Sequence, residues 1–431
     1  MHAIRPLYLL SATQVVQLLR NNTMTVEDYA RVLLSHVEER DPTVKAWAYL
    51  NPELVIKQAQ ALDQVPVDQR GPLHGVAVGI KDVMNTKDMP TEFGSPLYKG
   101  HQPGFDSSAV AILRAAGALV FGKTTTTEFT VANSGPETTN PHDPNPPLSL
   151  GCQTGGSLIR PPEGQKFFSP MFDTMGFIAR SIEDLEPLAD VFDIKDDEPP
   201  EDGDPAEVTV ALVKGPMWDQ AGPGTVAAMD KTASILVNNG IRVDHVSLPT
   251  SISDKETRKR MQRVVMSGEA QVAFLREYRV DKTKINPRIW QFVENSSGFT
   301  HRERIQALDD YAKIRGIADE VAGKYSAIIT PSAVDEAPLG LGDMGSAAFN
   351  TMWTGFHMPV INVPAFLGAN GMPIGISLVA GRFQDQHLLG IGKLLSGPLL
   401  GEGGWQCKLK SELWKESVEA LSNICEAVQS W

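Results

Sequence analysis

The sequence predicts an α/β protein, an α/β/α sandwich with helices on both sides of a mixed central β-sheet. Three observations predict it. Residues 76–80 and 118–121 read as strands on either side of a helix over 106–117. The same alternation returns in a strand over 208–213, a helix from about Thr225 to Asn239-Gly240, and a strand over 241–246. Further strands, 327–331, 359–365 and 374–379, come back to the sheet after a long helical stretch. Strand–helix–strand is the unit of parallel sheets, with a right-handed crossover.

Each element has a local cause. Ser11-Ala12-Thr13 opens a helix carrying Val15, Val16, Leu18 and Leu19. Thr25-Val26-Glu27-Asp28 has the form of an N-cap with acids in the first turn, and Tyr29, Val32, Leu33 and Val37 follow at helical spacing. Val76, Val78 and Ile80 alternate with period two, and the strand ends on Lys81. Asp106 is expected to cap a helix through Val110, Leu113 and Ala116 that stops at Gly117. Ser181-Ile182-Glu183-Asp184 is expected to start an amphipathic helix with Leu185, Leu188 and Phe192. Residues 193–204 are acidic and proline-bearing, the composition of a surface connector. Residues 254–324 are polar and mostly helical, and 409–428 form an amphipathic tail with Leu413, Val418, Leu421 and Ile424. There is no internal repeat. The organisation expected is an N-terminal helical segment, 1–70, a core over 71–400 that includes the helical region about 254–324, and a C-terminal helical tail, 401–431.

Composition narrows the function. Of 431 residues, 42% are hydrophobic and 21% charged, ordinary for a globular protein. A net charge of −13 argues against a nucleic-acid partner, which needs a basic stripe. Cys152, Cys407 and Cys425 make neither a metal spacing nor a disulfide framework, and reduced thiols suit a reducing compartment. No run of about 18 apolar residues predicts a membrane span, and the apolar N-terminus is too short for a signal core. A cytoplasmic location is the expectation.

Two segments carry chemistry. Gly151-Cys152-Gln153-Thr154-Gly155-Gly156-Ser157 places a serine behind a glycine pair, after the apolar run 148–150. Glycines let backbone N–H groups approach a bound oxygen, and a hydroxyl beside free N–H groups suits acyl transfer. The bland reading is an ordinary Gly-Gly-Ser turn. The second segment is 71–82, which delivers Lys81 to a strand end, where α/β proteins place their sites. A solvated cap is its bland reading; a desolvated lysine can be neutral and basic.

Together these segments resemble the amidase signature family of serine hydrolases. The resemblance runs on through Gly94-Ser95-Pro96, 106–128, Asn140-Pro141-His142-Asp143-Pro144, 169–181, 359–364 and 371–379. It implies an amidase fold and a small carboxamide substrate. It implies Ser157 as nucleophile, Lys81 as base, and an oxyanion hole of N–H groups around Thr154, Gly155 and Gly156. No metal and no cofactor is implied, and a homodimer is compatible with the resemblance. The chain departs from the pattern in two places. The family links its lysine to its nucleophile through a second serine in a glycine-rich loop, which should follow Asn145; here Pro146 follows directly. A second shortening follows Pro162. Three accounts stay open: loops of the protein missing from this sequence, a natural splice or inactive form, and deliberate removal. Clean resumption of the pattern after each gap favours the first. Two other functions also stay open, an esterase or amide-forming acyltransferase on the same scaffold, and an inactive amidase-like binding protein.

Other polar residues are read as structural. His74 and His142 are not required as bases, Cys152 is read as an inert buried thiol, and Asp82 as a turn residue bonding backbone. Asp173 and Arg180 are read as structural partners, and Lys123 as solvated or salt-bridged. Gly75, Gly79 and Gly122 do not form a phosphate loop.

Overall fold

The computed structural model describes residues 6–131, 137–142, 163–197 and 207–405. The chain begins with α1 (Ala12–Arg20), α2 (Val26–Val44), β1 (Trp47–Tyr49) and α3 (Pro52–Asp63). It continues with β2 (Ala77–Lys81), α4 (Ser108–Ala115), β3 (Leu119–Thr124), α5 (Glu186–Val191), β4 (Thr209–Leu212), α6 (Pro223–Asn238) and β5 (Arg242–His245). A helical stretch follows: α7 (Thr250–Ser253), α8 (Lys255–Ala273), α9 (Leu275–Asp281), α10 (Pro287–Val293) and α11 (His301–Ala322). Then come β6 (Ala327–Pro331), α12 (Asn350–Phe356), β7 (Val360–Leu367), β8 (Pro373–Val379) and α13 (Asp385–Glu402).

Among the described residues the strands lie in two mixed sheets. One is three-stranded, ordered β1-β3-β2, with β2 parallel and β1 antiparallel to β3. The other is five-stranded, ordered β5-β4-β6-β8-β7; its first three strands are parallel and the rest antiparallel. Both are sandwiched by helices, the α/β layering that the sequence predicts. Strand side chains alternate between faces. Leu119 and Phe121 of β3 therefore meet Val15, Leu19, Ala30 and Val55 of the first three helices. Val120 and Ile80 meet Val110 and Leu113 of α4 on the other face. In the larger sheet, Val210, Leu212 and Ile329 face α6 and α13, while Ala211 and Ile328 face α8, α11 and α12.

The helix starts follow their caps. Ser11 and Gln14 form a reciprocal capping box, and the Thr25 hydroxyl accepts the N–H of Asp28 at 3.0 Å. Two expected starts are corrected. The cap of α4 is Ser107, which accepts from Val110 N; Asp106 instead accepts the N–H of Lys87 at 2.9 Å and faces Arg114 at 3.3 Å. Residues 181–185 form turns and α5 begins only at Glu186. Asp184 is used elsewhere, accepting both the N–H and the hydroxyl of Thr13 at 2.9 Å. That contact satisfies an orphan donor in the first turn of α1. The sequence reading also passed over β1, whereas α3 falls within the helical segment expected over 1–70. Strand 148–150, much of the connector and the tail over 409–428 lie outside the described residues.

Candidate active site

Lys81 is the last residue of β2, paired with Thr124 on the parallel strand β3. It therefore stands at the carboxyl end of two parallel strands, where open α/β sheets place their ligands. The chain then turns tightly, with the N–H groups of Val83 and Met84 both donating to the carbonyl of Lys81, at 2.7 and 3.0 Å. The side chain is partly buried, and among the described residues no carboxylate stands in ion-pair contact with its Nζ.

Its neighbour Asp82 points into the protein. One carboxylate oxygen lies 3.1 Å from Nζ of Lys123, and both oxygens accept the N–H of Glu92. Asp82 is thus the backbone-bonding turn residue expected, and salt-bridged as well. Lys123 is fully enclosed. It also donates to the Thr91 hydroxyl at 2.6 Å and the Pro90 carbonyl at 3.2 Å, so each ammonium proton has an acceptor. Burial holds the Asp82 carboxyl above its ordinary pKa and the Lys123 ammonium below its own, and their mutual attraction opposes both shifts.

A second segment closes on the turn after Lys81. Gly164 O accepts from Asn85 N at 2.9 Å, Lys166 N donates to Val83 O at 3.2 Å, and Met84 bridges Gln165 antiparallel. Gly164 has φ +83°, and a Cβ there would meet Cα of Ser107 at 2.8 Å, so only glycine fits. Beyond it, Asp173 Oδ2 accepts the N–H groups of Phe168 at 2.6 Å and Ser169 at 2.9 Å. The carboxyl of Asp173 is pushed up to about 6, first by burial and further by Glu269; the two N–H donors and the Lys81 charge pull the other way. Arg180 donates to the carbonyl of Tyr8 at 2.6 Å. Both residues are structural partners, as expected. His74 is buried, and His142 sets its ring edge-on to Trp405.

The helical region supplies carboxylates that sequence reasoning missed. Glu269 of α8 accepts the Ser169 hydroxyl at 2.6 Å and the Met171 N–H at 3.0 Å. Glu277 of α9 accepts from Lys166 at 2.8 Å and from the Tyr98 hydroxyl at 2.7 Å. Burial alone would raise the Glu277 carboxyl, but these donors hold it below its ordinary value. A signal existed for Glu269. It follows the buried Met261 and Val265 at intervals of four, on the helix stripe that faces the core. Of the predicted site residues the structure places Lys81 alone; Thr154, Gly155, Gly156 and Ser157 lie outside the described residues, as does Cys152. Among the described residues no cluster of His, Cys, Asp or Glu is arranged to hold a metal ion, and no helix is long and apolar enough to cross a membrane.

The Amidase family model matches residues 28–158 and 159–389, dividing one residue past Ser157. Putative amidase AmiD of Mycobacterium tuberculosis (strain H37Rv) is 26% identical over 447 positions, spanning 88% of this chain and 92% of that protein. That alignment is longer than this chain, so the relative carries residues with no counterpart here. A glutamyl-tRNA(Gln) amidotransferase subunit from Symbiobacterium thermophilum is 25% identical, over 89% of this chain and 95% of that protein. Two solved structures share the fold. One, a crystal structure of amidase, has a TM-score of 0.75 and 22% identity over 90% of this chain and 99% of that one. The other, native peptide amidase from Stenotrophomonas maltophilia, has a TM-score of 0.70 and 19% identity over 94% and 99%. With a family match across most of its length and the family's fold around Lys81, the chain belongs to the Amidase family and is an amide-hydrolysing enzyme.

Proposed function

We propose that this enzyme cleaves a small, non-peptide carboxamide through an acyl-enzyme on Ser157, with Lys81 as the base. The observation that carries the reading is the setting of Lys81, at the mouth of two parallel strands and with no carboxylate in contact among the described residues. An amine that no carboxylate engages can turn toward a nucleophile's hydroxyl. Chain connectivity supports the pairing with Ser157. Glu163, six residues later, accepts from Ser108, and Gly164 accepts from Asn85 just beyond Lys81. Six residues of extended chain span at most about 22 Å.

In this scheme Ser157 Oγ bonds to the amide carbon as its proton passes to Nζ of Lys81. The N–H groups around Thr154, Gly155 and Gly156 receive the oxyanion, each such donor being worth about 3 kcal/mol. The C–N bond then breaks, and the Lys81 ammonium protonates the departing amine. Water attacks the ester, Lys81 takes one of its protons and returns it to Ser157 Oγ, and the carboxylic acid leaves and releases its proton to solvent. The family's bridging serine has no residue here, since Asn145 runs directly into Pro146. For the chain as it stands, proton exchange between Ser157 and Lys81 runs through a direct hydrogen bond or one intervening water; where the loop belongs to the protein, its serine takes that place.

Labelling with a fluorophosphonate, followed by peptide mapping, tests the reading. It expects one label, on Ser157, lost in Ser157→Ala and in Lys81→Ala. An unlabelled wild-type protein would overturn it in favour of an inactive amidase-like binding protein.

A further inference from the structure

A cavity of about 290 Å³ lies between the first turns of α8, the middle of α11, and α12 with the residues just before it. Arg258, Gln262, Tyr311, Thr351, Met352 and Phe356 line it. Arg258 is only 8% exposed, yet its Nε and Nη1 have no hydrogen-bond partner. Among the described residues no carboxylate reaches ion-pair contact with it. Of the acidic groups whose charge it feels, the Tyr311 phenol lines the same cavity, Asp254 accepts the N–H of Thr257 at 2.8 Å, and Asp310 faces Lys313 at 3.6 Å. Lys259, also in the lining, is paired with Glu256 at 3.9 Å.

An arginine cannot shed its proton to escape this position. A guanidinium buried without an acceptor is costly, and the cost falls when an anion enters beside it. We infer that this cavity binds an organic carboxylate, anchored by the Arg258 guanidinium and seated with its apolar part on Met352 and Phe356. Nε and Nη1 are sealed from solvent, and Nη2 is the guanidinium nitrogen left to donate to a carboxylate oxygen. The cavity is at the small end of ligand pockets, so the carboxylate is a short one. Gln262 and Thr351 supply polar contacts at its walls. The inference does not depend on the roles given to Ser157 and Lys81.

Isothermal titration of the full chain with hexanoate and phenylacetate tests it, with hexanol, 2-phenylethanol and inorganic phosphate as comparisons. One carboxylate is expected to bind per chain, at least tenfold more tightly than its alcohol or phosphate. Arg258→Met should weaken that binding at least tenfold. Ala347→Trp, which adds bulk to the cavity wall from an exposed position, should do the same. Binding should survive in Ser157→Ala and Lys81→Ala. Absence of carboxylate binding, or binding undiminished in the Arg258→Met and Ala347→Trp proteins, overturns the inference. So does phosphate binding as tightly as the carboxylates, or loss of binding in Lys81→Ala with retention in Arg258→Met.

Discussion

Nζ of Lys123 lies 3.1 Å from Oδ1 of Asp82, and the two side chains are 0% and 5% exposed. This buried pair sits one residue from Lys81 and fixes the turn that leaves β2. Removing one partner strands a charge in the interior. Lys123→Met should therefore cost about 3–5 kcal/mol of stability. Adding Asp82→Asn should restore part of that loss, because the stranded charge goes too. Urea unfolding of the two single mutants and the double mutant measures both effects. A Lys123→Met protein as stable as wild type would mean that water reaches the pair.

Ser157→Ala and Lys81→Ala should each lower kcat by about 10⁴-fold or more, with the fold intact by circular dichroism. Groups that work as one unit do not lose activity additively. The double mutant should thus be little worse than either single mutant. Multiplying losses would separate the two residues mechanistically.

Asp173 gives the fold a pH signature. Its carboxyl stands at about 6 against an ordinary 3.8, so the folded state holds this proton where the unfolded state has released it. Its contribution to stability is full below about pH 3.8, falls as pH rises through the window to about 6, and is flat above. Thermal melting across pH 3.5 to about 7 should lose this component in Asp173→Asn. An unchanged slope in the mutant would assign the window to other groups.

Gly164→Ala should destabilise by about 1–3 kcal/mol, through the left-handed backbone and the clash with Ser107. Because residues 163–166 hold the turn after Lys81, kcat should fall more than KM changes. A kinetic effect on KM alone would place the segment outside the catalytic apparatus.

Much of the architecture was legible because its signals are local. The period of Val76, Val78 and Ile80 and the caps at Ser11 and Thr25 depend on neighbours a few residues away. α3, inside the helical segment expected over 1–70, starts on such a signal, the cap Asn51 followed by Pro52. β1 had almost none, since its three residues are strand only through pairing with β3. Asp106 and Ser107 are both good caps by type, and only Arg114 and the N–H of Lys87, drawn to Asp106, separate them. At the site, Lys81 was legible from its strand. The enclosure of Lys123 was not, because Asp82, Pro90 and Thr91 reach it from a distant stretch of chain. Glu277 meets Lys166 across 111 residues, a distance at which local sequence has no voice.

The Lys166 clamp also bears on how such an enzyme can change. Lys166 sits nine residues past Ser157, and its ammonium is gripped by Glu277 and by the carbonyl of Ala273, at the junction of α8 and α9. Those helices belong to the polar, mostly helical stretch 254–324. Drift there is not free: a substitution that tilts α9 pulls on Lys166 and, through it, on the turn after Lys81. New substrate preferences acquired through these helices would thus tend to arrive with altered turnover, unless the acid at 277 and its grip on Lys166 are kept.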